Sequence, residues 1–381
     1  MALWAKRLAA ALLAWVGVAG ATVPVRAAAA PPALSARAAV LIDARTGAIL
    51  YEKDAFRQMD PASLTKMMTA YLVIRHGNLG RTVTVSKAAA QVGGSRMHLD
   101  AGDEYTVHDL LRGLLVRSGN DAAVALAEAE AGTVERFVAQ MNMTAQALGA
   151  FNTQFENPNG LTAPGHVSTA YDLALIARAA LNLPEFREIV RQREVAVTEL
   201  RRGRRRVLHN TNLLLEAFPG ADGVKTGTTT AAGKCLAASA TREGQQLIAV
   251  VLKSRDRWQD AARLLQWGFD YWQTVQAVAP GQPWGTVAVR DGLRPSVAAV
   301  AARAVWTVLP RGEEPTVRVV LPATVQAPVA RGQRLGQVAV LSPVEPVARS
   351  PLVAAEAVRS RGWWSWWVHW LGWLNYGDGA G

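Results

Sequence analysis

The sequence predicts an α+β fold, an antiparallel sheet flanked by helices with a helical lobe, followed by a small all-β sandwich domain. Three observations carry this reading. Short β-branched runs stand early in the chain and return late as a hairpin. Ala- and Leu-rich helical spacing fills the stretch between them. Past residue 279 the texture changes to Val-rich runs punctuated by Pro and Gly. With 381 residues, half of them hydrophobic and 19% charged, the chain can bury two full cores.

The elements follow in order. Lys6 and Arg7 precede an apolar run from Leu8 to Val23 and the small-residue stretch Arg26-Ala27-Ala28-Ala29-Ala30, so residues 1–30 read as a secretory signal peptide. Export leaves a net charge of +11 with a membrane surface or an acidic polymer as partner, not nucleic acid. Cys235, the only cysteine, cannot form an internal disulfide and reads as a small hydrophobe in a strand.

The first domain spans 31–278. Ala38–Ile42 predicts a strand, Asp43–Gly47 a turn and Ala48–Tyr51 a second strand. Pro61 opens a helix that runs to about Arg75 and closes near Gly77. Val107–Leu181 is helical except for the Asn/Pro/Gly loop Glu156–Gly160. Strand character returns at Val224–Lys225, then in the hairpin Cys235–Thr241 and Gln246–Leu252, and a helix from about Asp256 to Val275 ends the unit. The β-rich domain, 279–350, contains the runs Gly285–Val289, Ala298–Val308, Thr316–Leu321 and Leu335–Leu341. Residues 351–381 form a linker and an amphipathic helix, Trp363–Tyr376, with six of the thirteen tryptophans. Ser365, His369 and Gly372 give that helix one narrow polar stripe. At about 21 Å it is shorter than the ~30 Å hydrocarbon core, so it is expected to lie in a membrane interface, with Arg359 and Arg361 facing anionic headgroups.

Three motifs carry chemistry. In Ser63-Leu64-Thr65-Lys66 the hydroxyl and the amine share one helix face. A serine needs a base, and lysine serves only when burial or nearby positive charge keeps it neutral. In Ser118-Gly119-Asn120 a hydroxyl and an amide can relay a proton and grip a peptide. Alone it reads equally as a cap before the helix Asp121–Glu130. In Lys225-Thr226-Gly227 an ammonium and a hydroxyl face a carboxylate, while the glycine lets a substrate backbone come close. Each is weak alone; their joint presence in this order is the pattern of penicillin-binding proteins and class A β-lactamases.

From about Ala33 to the C-terminus the chain resembles the low-molecular-mass penicillin-binding proteins that act as D-alanyl-D-alanine carboxypeptidases. Leu208-His209-Asn210-Thr211-Asn212 before Pro219–Gly227, and Asn157-Pro158-Asn159-Gly160-Leu161 before Gly165–Asp172, are similar to that family as well. The resemblance implies a β-lactamase/transpeptidase-like catalytic domain over 31–278, with Ser63 as nucleophile, Lys66 as its base and Ser118 in proton relay. It implies that Asn120, Lys225, Thr226, Gly227, Thr228 and Arg257 bind substrate. The backbone N–H groups of Ser63 and Thr228 would form the oxyanion hole, and Arg257 would hold a terminal carboxylate. The expected reaction removes the terminal D-alanine of peptidoglycan pentapeptide through a Ser63 acyl-enzyme, in peptidoglycan biosynthesis and cell-shape regulation, with β-lactams as covalent inhibitors. A secreted protein, peripheral on the outer face of the cytoplasmic membrane, follows from the two chain ends.

Three other readings stand beside it. A D,D-endopeptidase would cut cross-links with the same machinery. A β-lactamase would need a water-activating Glu, and Glu156 lacks the Glu-x-x-Leu-Asn spacing. An inactive wall-binding protein would not need Ser63, Lys66 and Lys225 together. No Cys/His group has metal-ligand spacing and no Gly-rich nucleotide loop is present, so neither metal nor cofactor is expected. The clusters Arg191–Arg193 and Arg201–Arg206 are expected to be a solvated hairpin.

Overall fold

All six residues of the strand Ala38–Asp43 are buried, and its place in the sheet explains why. It runs antiparallel to Ile49–Lys53 on one side and Gln245–Ser254 on the other; the sheet continues through Gly233–Arg242 to Ala221–Thr229 at the edge. Successive strand side chains face opposite ways. Ala38, Val40 and Ile42 therefore join the core under a helical lobe, while Ala39 and Leu41 join a second core under the helix Arg257–Tyr271. Both faces are covered, so the strands read as continuous apolar runs. Gly268 lets the helix lie close: a Cβ there would come within 2.7 Å of Leu41 Cδ2.

The computed structural model describes residues 30–361. The body of the expected signal peptide and the expected helix at Trp363–Tyr376 lie outside the described residues. Among the described residues no helix is long and apolar enough to cross a membrane.

The lobe is built from helices Lys66–His76, Val107–Leu115, Asn120–Ala131, Val134–Ala147 and Ala170–Leu181. Three begin on a threonine whose hydroxyl accepts an orphan N–H: Thr106 from Asp109, Thr133 from Arg136 and Thr169 from Asp172. Lys66–His76 is different, because every residue from Lys66 to Ile74 is buried. It is the axis around which the lobe packs, and truncating one of its large side chains would cost about 2–5 kcal/mol.

Two expectations change at the end of this unit. The last helix stops at Tyr271, and Trp272–Val278 is instead a strand antiparallel to Val305–Pro310. Thr274 and Val275 are β-branched, and cross-strand partners outweigh the continuation of a helix. The run Ala298–Val308 is two strands, Ser296–Ala301 and Val305–Pro310, in different sheets. The larger sheet has the order Thr316–Val320, Arg334–Leu341, Ala348–Ala354, Ser296–Ala301, Pro283–Arg290, Thr324–Gln326. Val278 and Val305 of the small sheet share a core with Val287, Val297, Val338 and Leu352 of the large one. Thr274 donates to the Asp43 carboxylate, and Arg45 stacks 4.1 Å over Trp306, tying this β region to the first sheet.

The arginine cluster is a hairpin, Glu194–Thr198 with Arg205–His209, but it is not simply solvated. Arg202 and Arg204 pair with the buried carboxylate of Asp103, Arg201 donates to Gly102 O, and Arg206 donates to the carbonyls of Met97 and His98. A buried carboxylate and loop carbonyls need donors, and that need overrides solvation. Arg191 does pair at the surface, with Glu188.

Candidate active site

Ser63 lies in a single 3₁₀ turn, Ala62–Thr65, that passes directly into the helix Lys66–His76. Residues three apart eclipse in such a turn, so Lys66 Nζ stands 2.8 Å from Ser63 Oγ. Two glycines clamp the turn from opposite sides. A Cβ on Gly160, whose φ is +85°, would fall 1.9 Å from Ala62 O. A Cβ on Gly227 would fall 3.1 Å from Ser63 N. The motif Lys225-Thr226-Gly227 therefore packs its third residue directly against the backbone of Ser63.

Lys66 is fully buried, with its amine 2.6 Å from Asn120 Oδ1 and 2.7 Å from Asn159 O. Asn120's amide orientation is fixed, since its Nδ2 donates to Gly93 O at 2.6 Å. Burial first, and then the charge of Lys225, push the Lys66 pKa well below its ordinary value, against the pull of Asp121. A neutral amine has two hydrogens and one lone pair. Asn120 Oδ1 and Asn159 O can only accept, so they take the two hydrogens. The lone pair is left for the Ser63 hydroxyl.

Ser118 and Asn120 flank a sharp bend with φ +65° at Ser118, which is only 5% exposed. Its hydroxyl makes no hydrogen bond to another described residue. The adjacent Asp121 is wholly buried and its carboxylate accepts from the N–H groups of Met97 and Leu99, which fixes the loop arching over Asn120.

On the facing strand Lys225 is buried, and its pKa is pushed down to about 7 by burial and then by Arg257. Thr226 Oγ1 is 2.7 Å from Thr211 Oγ1. Arg257 donates from Nη1 to Gly227 O and Thr228 Oγ1, each at 2.8 Å, and to Cys235 O at 3.2 Å. Its Nε is buried without a partner among the described residues. Cys235 is buried in the next strand, and burial raises its thiol pKa to about 11, which keeps it an inert thiol.

Sequence reasoning missed the residues that hold these pieces together. Thr211 donates its N–H to Val116 O and shares a hydroxyl contact with Thr226, joining the Ser118 segment to the Lys225 strand. Thr69 donates to Pro158 O, and the buried His166 bridges Thr65 and the Glu156 N–H. The signals were present in Asn157–Gly160 and Gly165–Asp172, but loop residues do not announce which helix they will strap. Glu156 is exposed, with its carboxylate toward Gln154. Among the described residues no group of His, Cys, Asp and Glu could hold a metal ion.

Comparison with known proteins decides the family. The D-alanyl-D-alanine carboxypeptidase peptidase family matches residues 25–256, and the C-terminal domain of penicillin-binding protein 5 matches residues 272–360. The chain belongs to the D-alanyl-D-alanine carboxypeptidase family. It is 34% identical over 339 residues to the carboxypeptidase DacF of Bacillus subtilis, across 86% of this chain and 87% of that one. With the carboxypeptidase DacC of Escherichia coli it shares 37% over 352 residues, 87% of this chain and 86% of the relative. The crystal structure of penicillin binding protein 5 from Haemophilus influenzae superposes with a TM-score of 0.75 at 35% identity, covering 87% of this chain and 99% of that one. This member of the family is thus a mixed helix-and-sheet catalytic domain followed by a β domain, a penicillin-binding serine carboxypeptidase of peptidoglycan metabolism.

Proposed function

We propose that Ser63 is the residue that becomes acylated while the chain removes the terminal D-alanine from peptidoglycan stem peptides ending in D-Ala-D-Ala. One observation carries the assignment: the Lys66 amine lies 2.6 Å from Asn120 Oδ1, 2.7 Å from Asn159 O and 2.8 Å from Ser63 Oγ, so a neutral amine that gives its two hydrogens to the two carbonyl oxygens turns its lone pair to Ser63. As Ser63 Oγ attacks the carbonyl of the penultimate D-alanine, its proton passes to Lys66 Nζ. The peptide C–N bond breaks, the departing D-alanine nitrogen takes a proton, and an ester to Ser63 remains until water cleaves it. Ser118 is the natural relay on the leaving-group side. The N–H groups of Ser63 and Thr228 meet the developing oxyanion. Lys225, Thr226 and Arg257 receive the terminal carboxylate, and Asn120 and Gly227 line the peptide's path. A β-lactam follows the same first step, but its leaving nitrogen stays tethered in the opened ring.

The exposed position of Glu156, away from Ser63, supports the carboxypeptidase reading over a β-lactamase that deacylates with a loop glutamate. Mass spectrometry of a pentapeptide ending in D-Ala-D-Ala, incubated with the purified chain, tests the reaction. Loss of one alanine is expected; an intact pentapeptide beside cleavage of a cross-linked peptide dimer would point to an endopeptidase.

We also propose that the chain is exported and sits peripherally on the outer face of the cytoplasmic membrane. The leader pattern at 1–30 and the tryptophan-rich segment 363–376, as a helix lying in the interface, support this reading.

A further inference from the structure

A cleft of about 280 Å³ is lined by Arg37, Arg57, Asp60, Ala231, Ala232 and Lys253 among others. Its two walls are continuations of the site. Asp60 leads through Pro61 into the turn that carries Ser63, and Ala231–Ala232 follow the strand Ala221–Thr229 after one residue, Thr230. Ala232 N–H donates to Thr229 Oγ1, holding that turn against the strand end.

The charges in this cleft are not balanced within the protein. Arg37, Arg57 and Lys253 have no ion pair or side-chain hydrogen bond among the described residues, and neither does Asp60. Elsewhere the chain pairs its arginines where a carboxylate is near, as Arg81 with Glu130 and Arg202 with Asp103. Three cations and one carboxylate leave two positive charges facing one small space.

The backbone is bent to bring one of them there. Lys234 pairs with Ser254 but Leu236 pairs with Val251, so the strand Gln245–Ser254 bulges between those partners. Lys253, inside the bulge, has φ +50°, a conformation that a lysine rarely adopts. Its stem lies over Gly233, where a Cβ would approach Lys253 Cγ to 3.2 Å. Bulges of this kind re-aim side chains and recur beside active sites.

We propose that this cleft is a subsite for a carboxylate of the acyl-donor peptide, carried upstream of the scissile bond. The inference rests on the carboxypeptidase reading above. Lys225, Thr226 and Arg257 are taken by the terminal carboxylate, so the cleft is left for the acyl portion. Thr229, the strand end that meets the cleft, is two strand residues past Gly227, which packs on Ser63; that is about 7 Å. An acidic side chain within two residues of the D-Ala-D-Ala pair spans that distance.

The test uses the full chain and two peptides ending in D-Ala-D-Ala that differ only in one upstream side chain, glutamate against glutamine. Each competes with labelled penicillin, so binding is read even where no bond is cut. At low salt the glutamate peptide should compete roughly threefold to tenfold better, the range expected of exposed charge pairs acting together. In the Arg57→Ala/Lys253→Ala variant that ratio, taken within the variant itself, should fall to about one. Millimolar inorganic phosphate, the same oxyanion chemistry from another source, should erode the preference in the wild type. Equal competition in the wild type, a preference that survives in the variant, or one indifferent to phosphate overturns the subsite. Failure of the wild type to cleave either peptide would count against the carboxypeptidase reading instead.

Discussion

His166 Nε2 lies 2.9 Å from Thr65 Oγ1, one residue from Lys66 and two from Ser63. Its Nδ1 accepts the Glu156 N–H at 3.0 Å, so the ring proton resides on Nε2 and points at Thr65. The imidazole is a strut between the nucleophile turn and the loop whose Asn159 carbonyl holds Lys66. His166→Ala should lose about 2–4 kcal/mol of stability and slow penicillin acylation. His166→Gln, which can donate at one end and accept at the other, should restore most of the acylation rate. Melting curves and acylation kinetics of the two variants check this; an alanine variant as fast as wild type would remove His166 from the positioning role.

The same residue sets a pH window. Burial holds its pKa down to about 4, against about 6.5 in an unfolded chain. As pH falls from 6.5 toward 4 the unfolded chain takes up the proton first, so stability falls across that window and is constant above it. The contribution is at most about 3 kcal/mol. Urea unfolding at pH 7 and pH 4.5 should show a smaller loss in His166→Gln than in wild type.

Ser63→Ala should fold and take no label from penicillin. Lys66→Met keeps an apolar stem in the buried site but removes the base, and should slow acylation by about 10²–10⁴. Label on the alanine variant, found by peptide mapping at another residue, would reassign the nucleophile.

Gly160→Ala tests the clamp that the Asn157–Gly160 loop places on the turn. The added methyl would fall on Ala62 O, at a φ that favours glycine, so the Asn157–Gly160 loop must move away from Lys66. Stability should drop by about 2 kcal/mol or more, and acylation should fall further than in an Ala substitution at the exposed Gly244. Parallel melts and acylation rates of the two variants check it.

Lys225 gives a pH signature of substrate recognition. Its pKa of about 7 means that it loses charge as pH rises through neutrality. KM for a peptide with a free C-terminal carboxylate should rise above pH 7, while a C-terminally amidated peptide, poorer throughout, should show no such rise. Steady-state kinetics from pH 6 to 9 separate the two.

Truncation after Ser360 should move the mature protein from the membrane fraction to the soluble one and leave activity on soluble peptide intact. A truncated protein that still sediments with membranes would place the anchor elsewhere.

The fold and the motif residues that meet in the candidate site were legible because each leaves a local mark. Ala38–Ile42 and Leu247–Leu252 are apolar without interruption, since both sheet faces are covered. Ser63, Lys66, Asn120 and Lys225 belong to motifs with fixed spacing. What remained hidden is tertiary. Nothing local to Thr211 says that its two polar groups will join Val116 to Thr226, and nothing near His166 names Thr65. Arg202 and Arg204 looked solvated because Asp103, their partner, is about a hundred residues away. Trp272–Val275, which opens the strand Trp272–Val278, reads locally as the end of a helix because its partner, Val305–Pro310, comes later in the chain.

The strand order of the first sheet also governs when the enzyme can exist. The initial hairpin, Ala38–Asp43 with Ile49–Lys53, reaches the nucleophile's wall only through Gln245–Ser254 and Gly233–Arg242. A chain emerging from its amino end presents Ser63 and Lys66 long before those strands are made. Until they arrive, Lys66 lacks the burial and the Lys225 charge that lower its pKa, and its amine stays an ordinary ammonium. Acylation of Ser63 by a β-lactam is therefore expected of the completed fold and not of a nascent chain.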